Sequence, residues 1–282
     1  MKPLTDKIFI EDQYPGVTLG AIALPHGLIQ IDAPPSQDDG RSWRASLMNL
    51  SSGVERILIN LDSHFDRTLG ARLMDCPIIA HEKIAEAYRT RPNSVKSQVE
   101  ETGSDWESVL GIGNVRWTPP EITFTGNMTI NWNDTTILIE QHGGPSIGAC
   151  WVIIPSEKVV FVGDLALKNQ PPFFATADLQ EWIVSLQHLV ENFQNYKIVS
   201  GRGGLVSMSE VQHQLEMMQE IELEFSKASS KQSVSDITEK LTQIVLSKCT
   251  ISNRNKKQFE LRLGYGIKQY LSKNFRSGSS HS

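Results

Sequence analysis

The segment from Asp62 to Arg67 places several chemically capable side chains directly after the apolar run Ile57–Leu61. In an extended chain alternate side chains project to the same face, so Asp62, His64 and Asp66 point the same way. Two carboxylates and an imidazole at the end of a strand suit either metal ligation or acid–base chemistry. The guanidinium group of Arg67 beside them leaves both interpretations open.

Three further polar residues follow apolar runs in the same manner. His142 lies in a Gln-His-Gly-Gly segment, Asp164 ends the run Val159–Gly163, and Arg202 lies in a Gly-Arg-Gly segment. A sheet scaffold can bring the ends of such runs to one edge. The sequence therefore predicts that all three meet the Asp62–Arg67 segment in a single site.

The runs between these residues predict the elements that must position them. The predicted strands are 8–10, 17–24, 28–32, 56–61 and 77–80, then 122–124, 128–132, 135–140, 149–154, 158–162 and 197–200. The predicted helices are 43–50, 68–74, 81–89 and 178–193, with Asp178 and Glu181 as a capping pair, then 209–226, 233–247 and 255–275. Residues 33–40 are predicted as a loop, and residues 90–120 as an irregular insertion or lid anchored by Trp106 and Trp117.

This order of elements predicts the domain organisation. Strands that alternate with helices indicate βαβ units and covered sheets, whereas only helices follow residue 208. We therefore expect an α/β domain at 1–207, a helical C-terminal region at 208–276 and an unstructured tail at 277–282.

The order and spacing of the polar residues resemble the metallo-β-lactamase fold superfamily. That family has a first motif His-x-His-x-Asp-His, followed by a lone His, a bridging Asp and a Gly-His-Gly. The resemblance covers roughly residues 8–205. It implies a four-layer αβ/βα sandwich with a C-terminal helical extension, and a site that in the family holds two metal ions.

The departures from the family pattern are specific. Asp62 stands at the first His of the first motif, Arg67 at its last His, and Arg202 at the His of Gly-His-Gly. The family's second metal site has thus lost both imidazoles, and arginine has no lone pair with which to bind a metal. The resemblance therefore implies at most a mononuclear site.

The first metal site is altered but retains donors. Asp62, His64 and His142, with Asp164 as a fourth ligand, suit a single Zn²⁺, Fe²⁺ or Mn²⁺ ion. In the other interpretation no metal binds, and arginines and carboxylates form an inherited ion-pair network. Both interpretations remain open at this point.

The resemblance implies hydrolysis of an ester, thioester, lactone or phosphoester through metal-activated water. Asp66 would then orient the water, and Arg67 or Arg202 would hold an oxyanion or an anionic group of a small-molecule substrate. A catalytically silent ligand-binding or scaffold protein on the same fold is the alternative.

Bulk composition excludes several other classes of protein. The 282 residues are 39% hydrophobic and 21% charged, with a net charge of −5, so disorder and a general nucleic-acid surface are not expected. The three cysteines are far apart and no apolar run reaches membrane-spanning length. We expect a cytoplasmic protein whose C-terminal helices either cover the site or form a homodimer interface.

Overall fold

The chain forms two β-sheets, seen in a computed structural model that describes residues 1–51, 53–90, 102–109, 112, 118–227 and 233–276. In spatial order, the first sheet contains β1 (Lys2–Pro3), β2 (Ile8–Glu11), β3 (Leu19–Leu24), β4 (Gly27–Ile31), β5 (Glu55–Ile59), β6 (Ile78–His81) and β7 (Ile122–Phe124). The second sheet contains β13 (Gly204–Val206), β12 (Lys197–Ser200), β11 (Val159–Gly163), β10 (Cys150–Ile154), β9 (Thr135–Gln141) and β8 (Asn127–Trp132).

Helices pack against the outer face of each sheet. The described helices are α1 (Gln37–Leu47), α2 (Phe65–Thr68), α3 (Glu82–Thr90), α4 (Leu179–Asn192), α5 (Met208–Lys227), α6 (Val234–Lys248) and α7 (Lys256–Arg276). Trp43 of α1 is buried against the first sheet, and Trp182 of α4 against the second. The order of layers is therefore helix, sheet, sheet, helix.

The space between the sheets is filled by β-branched and aromatic side chains. Ile22 and Ile29 of the first sheet face Val152 and Phe161 of the second in one buried cluster. Gly20 allows the closest approach, because a Cβ there would lie 2.5 Å from the Phe161 ring. This inner core confirms the predicted four-layer sandwich.

Most predicted elements agree with the structure to within a few residues, but the loop predicted at 33–40 is wrong at its end. Helix α1 begins at Gln37, because Ser36 caps it and the Ser36 hydroxyl accepts a 3.0 Å hydrogen bond from the Asp39 amide. The helix predicted at 68–74 is divided into α2 and a 3₁₀ turn at Ala71–Met74.

The three C-terminal helices pack on the second sheet and on α4 in one shared hydrophobic cluster. The domain boundary at residue 207 stays a prediction, and both Trp117 and the predicted tail at 277–282 lie outside the described residues. Trp106 is buried, as expected of an anchor. Among the described helices, none is long and apolar enough to cross a membrane.

Candidate functional site

Loops that follow four strands bring the charged residues together. Asp32 follows β4 and the Asp62–Arg67 segment follows β5, while Asp164 follows β11 and Arg202 follows β12. Strands β4 and β5 are parallel, as are β11 and β12, so the carboxyl ends of each pair lie at one edge. The contacts below show that these edges meet.

Arg67 lies at the centre of the cluster and is fully buried. Its Nη1 is 3.4 Å from Asp32 Oδ2, its Nε is 3.2 Å from Asp62 Oδ1, and its Nη2 donates to Asp164 Oδ1. A Cβ at Gly201 would lie 2.6 Å from Nη1, so a residue without a side chain is needed there. One guanidinium group therefore serves three buried carboxylates.

Arg202 forms a second centre beside the first. Its Nη2 donates to Asp66 Oδ2 at 2.6 Å, its Nε to both oxygens of Asp164 at 3.1 and 3.2 Å, and its Nη1 to Asp105 Oδ2 at 3.2 Å. Asp164 thus accepts from both arginines. The result is one ion-pair network, here called the arginine–aspartate network, made of Arg67, Arg202, Asp32, Asp62, Asp66, Asp105 and Asp164.

The arginines keep two of these carboxylates ionised. Burial alone would raise the pKa of Asp62, but the Arg67 guanidinium and the His64 ring outweigh it and hold that pKa at about 2. Burial likewise opposes ionisation of Asp164, yet Arg202 and Arg67 hold its pKa far below the usual range. Asp62 and Asp164 therefore carry full negative charges at neutral pH.

His64 is the residue that links the network to a cleft. Its Nδ1 lies 3.0 Å from Asp62 Oδ2 and 3.3 Å from Asp164 Oδ2, so in the neutral ring Nδ1 carries the proton. Its Nε2 is buried and has no hydrogen-bond partner among the described residues. A buried lone pair without a donor is costly, which marks Nε2 as a functional atom.

The cleft beside His64 is small and positively lined. Its wall includes Asp164, Phe173, Trp182, Arg202 and Arg262. The space has room for about one water molecule. A small polar molecule placed there would meet an imidazole nitrogen and two guanidinium groups.

The donor set fits one metal ion and not two. Ligand atoms of Asp62, His64 and Asp164 all lie within 4.8 Å of one another. The two His64 distances resemble the separation of about 3.3 Å between ligand atoms of a tetrahedral zinc ion. Among the described residues no second group of three ligands is found, and the Arg202 guanidinium group lies between Asp66 and Asp164.

His142 lies apart from the metal-ligand triad. Its ring is stacked on Trp151 with centroids 3.7 Å apart, and its Nε2 is 3.3 Å from Glu140 Oε2. Burial lowers the pKa of His142, against the raising effect of Glu140. The metal-ligand role of His142 stays a prediction, while Asp62, His64 and Asp164 form the triad without it.

Asp66 is buried inside the network. Its Oδ1 accepts a 2.8 Å hydrogen bond from the Trp106 amide and its Oδ2 accepts from Arg202. Both oxygens are thus occupied by protein donors. Asp66 therefore fixes Arg202 and the start of the 3₁₀ turn Asp105–Ser108 relative to each other.

Sequence reasoning missed three members of the site: Asp32, Asp105 and Arg262. Asp32 could have been noticed, because a charged residue at the end of a mostly apolar strand needs a buried partner. Asp105 and Arg262 carry no comparable signal, since each lies in a polar segment far along the chain from the motifs.

We expect Asp32 to give the protein an unusual pH dependence of stability. Burial, helped by the negative charge of Asp62, raises the pKa of Asp32 from 3.8 to about 7 against the lowering effect of Arg67. Between about pH 4 and 7 the Asp32 carboxyl is protonated in the native state and ionised in the unfolded state. Lowering the pH across this window therefore raises the free energy of unfolding, by at most about 4 kcal/mol. Below that window the trend reverses, because Asp62 and Asp164 have lowered pKa values.

Urea unfolding of Asp32→Asn at pH 7 and pH 4.5 measures this contribution. Asparagine tolerates the left-handed φ of 58° at this position, and the variant should lack the acid stabilisation. Asp75→Asn is the matched control, because Asp75 has a similar φ of 53° but an exposed side chain. Equal pH slopes for wild type and Asp32→Asn would contradict the assignment.

The comparisons with known proteins agree with this fold. A family model described as the metallo-beta-lactamase superfamily matches residues 63–192, which contain His64, Asp66, Arg67, His142 and Asp164. A comparison with curated protein sequences gave no significant match.

Several solved structures are similar to this chain. A metallo-beta-lactamase from Pontibacter korlensis has a TM-score of 0.62 at 18% identity, covering 77% of this chain and 97% of its own. A metallo-beta-lactamase family protein from Thermus thermophilus has a TM-score of 0.68 at 13% identity, covering 97% of this chain and 95% of its own. A stereoselective inverting sec-alkylsulfatase from Pseudomonas sp. has a TM-score of 0.69 at 11% identity, covering 96% of this chain and 49% of its own.

These matches define the class of protein. The chain has the metallo-β-lactamase fold, and the resemblance to that superfamily predicted from its motifs is confirmed. That Asp62, Arg67 and Arg202 stand at three positions where the family motifs have histidine stays a prediction from the sequence.

Proposed function

We propose that this protein is a hydrolase of a small anionic ester, acting at His64 with at most one divalent metal ion. The observation that carries the proposal is His64, which lines a cleft beside Arg202 and whose buried Nε2 has no hydrogen-bond partner among the described residues. An imidazole whose Nδ1 faces two carboxylates and whose Nε2 has no partner is suited to accepting a proton at Nε2.

The neighbours of His64 determine which nitrogen reacts. Asp62 and Asp164 accept from Nδ1, which fixes the ring orientation and leaves the lone pair on Nε2. A water molecule in the cleft can donate to Nε2 and lose its proton there as it attacks an ester. Asp62 and Asp164 then stabilise the imidazolium cation that results.

A single divalent ion would be held by Asp62, Asp164 and Nδ1 of His64, where it would replace the Nδ1 proton, so metal activation of water is an alternative to proton transfer to Nε2. When bound, such an ion supplies Lewis-acid activation of water, lowering its pKa from 15.7 to about 7. Zinc, iron and manganese all accept this set of one nitrogen and two oxygen ligands.

The arginines contribute charge rather than protons. Arg202 lines the cleft and can stabilise negative charge that develops on the substrate, the role expected of it from the sequence. Arg67 and Asp66 do not line the cleft, and we assign them as positioning residues that hold Asp164 and Arg202.

The substrate class follows from the positive lining of the cleft. Carboxylic esters, thioesters, lactones and phosphoesters remain the expected classes. The similarity in fold to a sec-alkylsulfatase supports adding sulfate esters. An anionic group on the substrate would complement the positive charge of Arg202 and lower the desolvation cost of that buried guanidinium group.

The proposal is tested by hydrolysis assays with five substrates: p-nitrophenyl acetate, p-nitrophenyl phosphate, p-nitrophenyl sulfate, a thioester and a lactone. We expect turnover of at least one class, reduced about 100-fold or more in His64→Gln. His142→Gln is the matched control, because its ring is also buried beside a carboxylate but lies outside the triad. Absence of turnover in every class, or equal rates for His64→Gln and wild type, would favour the catalytically silent alternative.

Metal analysis of protein purified from zinc-, iron- and manganese-supplemented medium tests the stoichiometry. We expect no more than one equivalent, and any bound ion should be lost in Asp62→Asn and retained in His142→Gln. Two equivalents would contradict the proposal, because Arg202 would then have to leave the space between Asp66 and Asp164.

A further inference from the structure

Arg262 of α7 is a buried cation with an unusual set of neighbours. It is 4% exposed, yet of the residues that the structure describes no carboxylate lies within 4.0 Å of its guanidinium nitrogens. Its Nη1 donates to the neutral Ser104 hydroxyl at 2.7 Å, and its Cζ lies 4.5 Å from the centre of the Phe173 ring. Neither neighbour carries a compensating negative charge.

The direction of the Arg262 pKa shift agrees with a cation that has no direct negative partner. Burial lowers its pKa, and the positive charge of Arg202 lowers it further. Asp66, Asp105 and Asp164 act in the opposite direction, but each of them already accepts from Arg202. A desolvated cation in this position favours an additional anion.

Arg262 reaches the same cleft as His64. Both residues line it, and Phe173 contacts both, with its ring centre 6.1 Å from that of His64. An anion between the two residues would therefore lie beside the proposed catalytic nitrogen.

Two close approaches hold α7 at the cleft. A Cβ at Gly103 would lie 2.7 Å from the Gln258 carbonyl, and one at Gly266 would lie 3.0 Å from the Phe174 amide. Gln258 also donates to Asp105 Oδ1 at 3.0 Å, which joins α7 to the arginine–aspartate network. The first half of α7 is thus a fixed wall of the cleft.

We propose that Arg262 binds an anionic oxygen group of the substrate, namely a sulfate, phosphate or carboxylate, and so selects anionic substrates for the reaction at His64. The inference rests on the proposed function, since it concerns the same cleft. The cleft has room for about one water molecule, so in the reacting complex the water occupies it and the anionic group reaches Arg262 from the open side of the cleft. The guanidinium fork supplies paired donors to such a group.

Isothermal titration with inorganic sulfate, at constant ionic strength set with sodium chloride, tests the inference without turnover or metal. We expect binding by wild type and affinity at least about tenfold weaker in Arg262→Gln. Lys268→Gln removes an exposed charge from the same helix and should change affinity less than twofold. Equal affinity in Arg262→Gln, or no sulfate binding by wild type, would overturn the inference.

Ser104→Asp tests the inference with Arg262 left in place, should Arg262→Gln fail to fold. A carboxylate at residue 104 would pair with Arg262 and compete with the anion, so we expect at least about tenfold weaker sulfate binding without loss of stability. Ser108→Asp adds the same charge at an exposed position in the same segment and should bind sulfate normally. Unchanged binding in Ser104→Asp would contradict a role of Arg262 in anion binding.

The two proposals can fail separately. Sulfate binding that depends on Arg262, with no turnover of any ester, would leave the anion site standing and remove the hydrolase. Turnover that depends on His64, with KM for an anionic substrate unchanged in Arg262→Gln, would keep the hydrolase and remove the anion site.

Discussion

Replacing Arg67 with methionine is expected to lower the free energy of unfolding by about 3–5 kcal/mol. Methionine fills much of the same volume but leaves Asp32, Asp62 and Asp164 without the guanidinium group that all three contact. Removing one partner from a buried ion network exposes the full desolvation cost of the charges that remain. Urea unfolding at pH 7, followed by circular dichroism, measures the loss.

Arg44→Met is the matched control for this prediction. The Arg44 guanidinium group lies 3.6 Å from Asp75, but both side chains are about half exposed or more. Exposed pairs of this kind contribute roughly 0–1 kcal/mol. If Arg67→Met cost no more than Arg44→Met, the central place of Arg67 in the network would be wrong.

Asp164→Asn is expected to cost about 3 kcal/mol or more, because both arginines lose the one carboxylate that they share. The amide keeps one acceptor oxygen, yet its nitrogen would face a guanidinium donor. We also expect Nδ1 of His64 to lose an anionic neighbour, so turnover should fall together with stability. Thermal and urea unfolding measure the stability, and the ester assay measures turnover.

Asp38→Asn is the control, because Asp38 pairs with Arg41 at 2.9 Å and is 93% exposed, and its replacement should cost less than about 1 kcal/mol.

A double variant of Arg67→Met and Asp164→Asn should be less destabilised than the sum of the two single losses by about 1–3 kcal/mol. Strict additivity would mean that the two residues do not interact as their contact indicates.

Local sequence signals predicted most of the fold. The Asp178 carboxylate accepts from the Glu181 amide at 3.0 Å, as the capping pair indicated, and short apolar runs located the strands of both sheets. Helix α1 was placed six residues too late, because Ser36 and the two acidic residues after it were interpreted as part of a loop. In the structure they form a cap and a first turn.

The site was less predictable because its contacts join distant segments. The motif spacing indicated Asp62, His64, His142, Asp164 and Arg202, but no linear pattern specifies that the His142 ring stacks on Trp151. Arg262 belongs to a helix whose lysine side chains are all exposed. The packing of α7 at Gly103 and Gly266, which joins distant parts of the chain, brings Arg262 to the cleft.

The arginine–aspartate network also has a consequence for the time course of folding. The contact between Arg67 and Asp164 joins residues 97 positions apart, and that between Arg202 and Asp66 joins residues 136 positions apart. Such long loops close only after the more local strand pairs have formed, since their entropy cost comes first. The charges therefore meet when both sheets are already docked, and until then the carboxylates remain in water. We therefore expect assembly of the cleft to be a late event that reports completion of the native state.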